Sequence, residues 1–116
     1  MGFFEKLAGF FKSDETTEPL TDENGNPVIR VRLSICGKVQ GVNLRWEIRE
    51  EALRLDLTGW VKNQDDNSVL AEAQGTREHI NELKGFLTQN GRWTITSLSE
   101  TIVLCHTKDK TFKVEY

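Results

Sequence analysis

The order of strand-like and helical segments in this 116-residue chain predicts an α+β fold, an antiparallel sheet carrying two helices on one face. Three observations predict it. Val31, Leu33 and Ile35 alternate with Arg30, Arg32 and Ser34, the period-2 mark of a strand with one buried face. Two later stretches repeat apolar residues at helical spacing. Between those stretches lie two strand-like runs joined by a polar turn, so the second helix has a hairpin in front of it.

Taken in order, residues 1–12 set Phe3, Phe4, Leu7, Ala8, Phe10 and Phe11 at helical spacing, leaving Glu5, Lys6 and Lys12 on other faces. This is a short amphipathic helix candidate, too short to be stable alone in water. Residues 13–27 are acidic, hold both prolines and lack apolar periodicity, as a linker does. Residues 1–27 are therefore read as an extension, disordered or loosely tethered, and residues 28–116 as the domain. After the first strand, Asn43 is expected to cap a helix whose inner positions are Leu44, Ile48, Ala52 and Leu55. Residues 57–63 read as a second strand, Asp65, Asp66, Asn67 and Ser68 as a turn, and residues 69–74 as a third strand. Thr76 is the expected cap of a second helix with Ile80, Leu83, Phe86 and Leu87 inward, stopped by Asn90 and Gly91. Residues 93–104 read as a fourth strand, and Phe112 alternates with Val114 in a short last one. The order β-α-β-β-α-β plus a terminal strand is the split β-α-β, ferredoxin-like arrangement.

Composition narrows the function. The chain is 37% hydrophobic and 28% charged, ordinary for a globular domain. Residues 1–27 hold two lysines against six acidic side chains, and the remainder thirteen basic against twelve acidic. Neither part has the basic excess that releases counterions from a nucleic acid, so none is expected as partner. No run approaches the roughly 20 apolar residues that span a bilayer. Contact of residues 1–12 with a membrane surface is the less favoured reading, since the two lysines are offset by the acidic residues that follow. Cys36 and Cys105 form no CxxC pair and fall near opposite ends of neighbouring antiparallel strands, too far apart to bridge. A cytoplasmic monomer without metal or cofactor is expected. His79 and His106 are read as structural or surface residues, and Trp46, Trp60 and Trp93 as packing residues.

In the split topology the first two strands run parallel with the third between them, so their C-terminal ends share one edge of the sheet. The loop Gly37, Lys38, Val39, Gln40, Gly41, Val42, Asn43, Leu44 leaves the first strand at that edge and leads to Arg45 in the first helical turn. Asn63 closes the second strand there. Glycines at 37 and 41 let main-chain N–H groups turn inward as a nest for an anion, a phosphoryl group above all.

With these residues in view the chain resembles the acylphosphatases, whose signature is a Gly-x-Val-Gln-Gly-Val-x-Phe-Arg loop followed by a Gly-Trp-Val-x-Asn strand. Here the two read Gly37-Lys38-Val39-Gln40-Gly41-Val42-Asn43-Leu44-Arg45 and Gly59-Trp60-Val61-Lys62-Asn63. Leu44 stands at the usual Phe, Asp66-Asn67 at an Asp-Gly turn and Asn90-Gly91 at a Gly-Pro; none of these removes a functional group. The resemblance implies hydrolysis of a small acyl phosphate, with the phosphoryl group held by residues 38–45 and the attacking water oriented by Asn63. Direct attack without metal or covalent intermediate is expected, since no nucleophile flanked by a base is visible. The competing readings are a non-catalytic anion-binding or regulatory module, because this fold hosts many functions, and a phosphate-handling part of a larger transferase.

Overall fold

The computed structural model describes residues 14–41, 43–89 and 91–116. The helix expected over residues 1–12, Val42 and Asn90 lie outside the described residues. In chain order the elements are β1 (Glu15–Thr16), β2 (Leu20–Thr21), β3 (Pro27–Lys38), α1 (Leu44–Arg54), β4 (Thr58–Asn63), β5 (Val69–Thr76), α2 (Arg77–Gln89), β6 (Thr94–Val103), β7 (Cys105–His106) and β8 (Phe112–Val114). From β3 onward this is the expected order, with β7 added.

The main sheet runs β6-β3-β5-β4-β8. β3 and β4 both pair antiparallel with β5 between them, and Ile35 and Asn63 meet the same residue, Val69. That shared partner puts the ends of β3 and β4 at one edge. The sheet is not antiparallel throughout, because β8 lies parallel to β4, with Val114 beside Val61. A chain that has already crossed back through β6 and β7 arrives at β4 in that direction.

One face of the sheet is apolar because strand residues alternate. Val31, Leu33, Ile35, Val61, Val69, Ala71 and Ala73 are buried against Leu44, Ile48 and Ala52 of α1 and Ile80, Leu83 and Leu87 of α2. Burying one such large side chain contributes about 1.5–3 kcal/mol. Thr76 caps α2 as expected, its Oγ1 accepting the His79 N–H at 3.2 Å. α1 ends without glycine: Asp56 takes φ 56°, the Leu57 N–H reaches Ala52 O at 2.8 Å, and the Asp56 N–H reaches Leu53 O at 3.2 Å. This is a Schellman motif with an aspartate at its left-handed position. Trp93 packs as expected, its Nε1 donating to Leu87 O at 2.7 Å and its ring edge-on to Phe86.

The acidic stretch before the domain carries more structure than a linker. Asp22 Oδ1 accepts the N–H groups of Asn24 and Asn26, closing a turn that sets β2 beside the start of β3. β1 pairs with β7, Glu15 opposite His106. These two-residue pairings take their register from the strands they join, so no apolar pattern of their own announces them. The helix-free face of β3 is polar as expected, but not open everywhere. Arg30 is fully buried there, bound to Glu72 at 2.7 Å and Asp109 at 2.7 Å. The cysteines remain free, and Cys105 sits by Val28 while Cys36 faces Ser97. No helix among the described residues is long and apolar enough to cross a membrane.

Candidate active site

The loop after β3 is built by two glycines that act differently. At Gly37, φ is 133°, a bulge interrupts the pairing with β6, and a Cβ would lie 2.0 Å from Thr94 O. Only glycine fits that approach. At Gly41, φ is 77° and a Cβ would meet nothing within 4 Å, so conformation alone selects glycine. Between them Val39 is buried and anchors the loop to the core. Gln40 straps the loop to the next hairpin, its Nε2 donating to Gln64 O at 2.9 Å and Ser68 O at 2.8 Å. That strap uses the Gln40 side chain for loop placement, a role its position in the motif does not announce.

Asn43 stands at the N-cap position of α1 but does not cap it through its side chain. Its φ is 63° and ψ 22°, and no side-chain cap bond forms; its carbonyl accepts the Glu47 N–H at 3.2 Å. The left-handed backbone turns the carboxamide away from the geometry that an N-cap needs. The first N–H groups of α1 have no intrahelical acceptor, and the positive end of the helix dipole is left for an anion.

A hollow of about 340 Å³ opens at this point. Val39, Gln40, Gly41 and Asn43 line it from the loop, Leu44, Arg45 and Trp46 from the first turn of α1, and Asn63 from the end of β4. Arg45 and Asn63, 18 positions apart, thus share one concavity. Lys38 does not line it; it is exposed, in register with Thr94. Val42 lies outside the described residues. Trp46, expected as a packing residue, is 43% exposed. The inner face of α1 is set by Leu44, Ile48 and Ala52, and position 46 falls off that stripe.

Arg45 is half-buried and is held from behind by the end of the chain. Its Nη1 donates to Glu115 O at 3.3 Å, and its guanidinium carbon lies 4.9 Å from the centre of the Tyr116 ring. The Glu115 N–H in turn donates to Val61 O at 2.8 Å, extending the β8 pairing to the residue that touches Arg45. Glu115 and Tyr116 are residues that sequence reasoning missed. Their alternating neighbours Phe112 and Val114 mark a strand but not which strand it joins, and the contact follows only from pairing with β4. The hollow between the two helices is larger, about 740 Å³, but Glu51, Glu78 and Glu82 line it, a poor surround for an anion.

Comparison with known proteins agrees with the fold. The family model for acylphosphatase matches residues 31–114. The chain belongs to the acylphosphatase family. It is 36% identical to an acylphosphatase of Clostridium perfringens over 86 residues, which are 73% of this chain and 97% of that protein. An acylphosphatase of Geobacillus thermodenitrificans is 54% identical over 46 residues, covering 40% of this chain and about half, 49%, of that relative. The structure of an acylphosphatase from Coxiella burnetii superposes with a TM-score of 0.72 at 29% identity, over 83% of this chain and all of that one. The family model leaves residues 14–30 unmatched, the stretch that holds β1, β2 and the first part of β3.

Proposed function

We propose that this chain hydrolyses acyl phosphates to a carboxylate and inorganic phosphate. The observation that carries the reading is the convergence of Arg45, Asn63 and the uncapped start of α1 on one hollow. The phosphoryl group seats against the N–H groups of residues 39–45, with Lys38 adding positive potential from the rim. The Arg45 guanidinium offers a planar fork to two of the phosphoryl oxygens. Asn63 orients a water by its carboxamide, in line with the bond to be broken. The water oxygen forms its bond to phosphorus as the bond from phosphorus to the acyl oxygen breaks; the electron pair leaves with the carboxylate, and the water's proton passes to solvent.

The chemistry asks little more of the protein. A carboxylate leaving group, with a conjugate acid of pKa about 4, needs no general acid. The charge spread over the phosphoryl oxygens is met by donors already in place, and this preorganisation is the main catalytic term in such a transfer. The reaction as written uses neither metal nor cofactor. Two free cysteines suit a reducing cytoplasm.

The test is phosphate release from acetyl and benzoyl phosphate in excess chelator. Turnover is expected, and Arg45→Ala and Asn63→Ala should each lower kcat by about 10² or more with unchanged circular dichroism. Binding of phosphate without turnover would instead identify a non-catalytic anion-binding module, and near wild-type kcat in Asn63→Ala would remove the water-orienting role.

A further inference from the structure

At the other end of the sheet, β1 and the segment after β6 bring together side chains that the proposed reaction does not use. Asp14, His106 and Asp109 each present a ligand atom, and these atoms all lie within 4.8 Å of one another. His106 Nδ1 is 3.1 Å from Asp14 Oδ2, and its Nε2 is 3.9 Å from Glu15 Oε1. We propose that Asp14, His106 and Asp109 form a binding site for a divalent transition-metal ion of the imidazole-preferring kind, such as Zn²⁺, which clasps the N-terminal segment to the domain.

The donor set and its spacing fit such an ion. One imidazole with two carboxylates is a borderline set that suits Zn²⁺ better than Mg²⁺ or Ca²⁺. Ligand atoms about 2.1 Å from a tetrahedral centre stand roughly 3.4 Å from each other, so the 3.1 Å pair is already at chelating distance. The widest separation is within 4.8 Å, so binding draws the three ligand atoms inward.

The surroundings fix the ligands. Asp109 Oδ2 accepts from Arg30 Nη1 at 2.7 Å, which makes its other oxygen the one to bind metal. The main chain of His106 is clamped by Gln74, whose Oε1 accepts its N–H at 2.7 Å and whose Nε2 donates to its carbonyl at 2.9 Å. Arg30 thus holds a ligand carboxylate in orientation directly, while Gln74 holds the backbone that carries the imidazole.

The pattern of ion pairs also favours a cation. The ion pairs of this network join two guanidinium groups, Arg30 and Arg32, to Glu72 and Asp109, while Asp14 and Glu15 face only His106 in those pairs. Asp14 and Glu15, which meet no guanidinium group in those pairs, are the carboxylates left to face a dication. Arg30 Nη2 is buried with no hydrogen-bond acceptor among the described residues.

Arg30 lies five residues along β3 from Ile35, about 17 Å from the edge where Asn63 sits, so the ion plays no part in the proposed hydrolysis. The test is calorimetric titration of the chelator-stripped full chain with Zn²⁺. One ion per chain at micromolar or tighter affinity is expected, weakened at least tenfold in His106→Gln and in Asp14→Asn and unaltered in Cys105→Ser. Bound Zn²⁺ should also slow hydrogen exchange at the Thr107 N–H, which donates to Asp14 O, by at least tenfold. Affinity only in the millimolar range would mean an adventitious ion only, and overturns the proposal. So does binding that survives both ligand substitutions, or that disappears in Cys105→Ser. If His106→Gln fails to fold, Asp14→Asn, outside the core, decides the matter alone.

Discussion

Arg45 is set in place before any substrate arrives, because the Glu115 carbonyl and the Tyr116 ring occupy one side of its guanidinium. A cation so held loses little freedom when it meets a phosphoryl group, which is the advantage of a preorganised donor. Lysine at this position keeps the charge but loses the planar fork and its stacking on Tyr116. Arg45→Lys should therefore lower kcat by about tenfold or more, against about a hundredfold for alanine, when phosphate release is followed at saturating substrate. Trp46 stands beside it with an exposed ring at the hollow. An aromatic acyl group seated there can stack on that ring, a contact worth about 0.5–1.5 kcal/mol. In Trp46→Ala, KM for benzoyl phosphate should rise by roughly threefold to tenfold while KM for acetyl phosphate stays level. Equal changes for both substrates would place the tryptophan outside the acyl contact.

The strand-to-helix element that carries these residues depends on glycine for two separable reasons, and substitution tells them apart. Gly37→Ala drives a Cβ to 2.0 Å from a main-chain oxygen of β6, which neither strand can yield without breaking the pairing. It should abolish folding or cost more than about 3 kcal/mol. Gly41→Ala meets open space and bears only the left-handed backbone, about 1–2 kcal/mol. Urea unfolding of the two variants measures the difference, and similar losses would contradict the crowding argued for Gly37. At this scale much was legible in the sequence. The stripe Leu44, Ile48, Ala52 marks α1, the alternation from Val31 to Ile35 marks β3, and Arg45 and Asn63 could be brought to one sheet edge from element order alone. The handedness of Asn43 was not legible, since asparagine serves equally as a side-chain cap and as a left-handed residue. Nor was the hold of Glu115 and Tyr116 on Arg45, which depends on strand neighbours far apart in sequence.

Across the whole molecule, the two faces of the sheet are stabilised by different physics, and pH distinguishes them. The helix side is largely apolar, with Glu100 of β6 its titrating group, paired with Arg77 and Lys84 of α2. The opposite side depends on Glu72, whose carboxylate joins β5 to Arg30 and Arg32 of β3. Burial alone would raise the Glu72 carboxyl, but the hydrogen bonds and charges of the two arginines outweigh it and hold the group below the ordinary carboxylate value. The Arg77 hydrogen bond, against partial burial and with help from Lys84, does the same for Glu100. A carboxyl depressed in the native state binds fewer protons there than in the unfolded chain. Its stabilisation is then complete above the unfolded pKa of about 4.3 and is lost as pH falls through the lower native value. Urea midpoints should accordingly be flat from pH 7 to about pH 5 and fall steeply below about pH 4. Glu72→Gln leaves the buried Arg30 with Asp109 as its one carboxylate partner, so the variant should be about 1.5–3 kcal/mol less stable at pH 7. Because the glutamine cannot titrate, the gap between variant and parent should narrow as pH drops through the native Glu72 titration. A gap that stays constant from pH 7 to pH 2 would show that the network holds the sheet by shape and hydrogen bonding alone, with no part for the charge on Glu72.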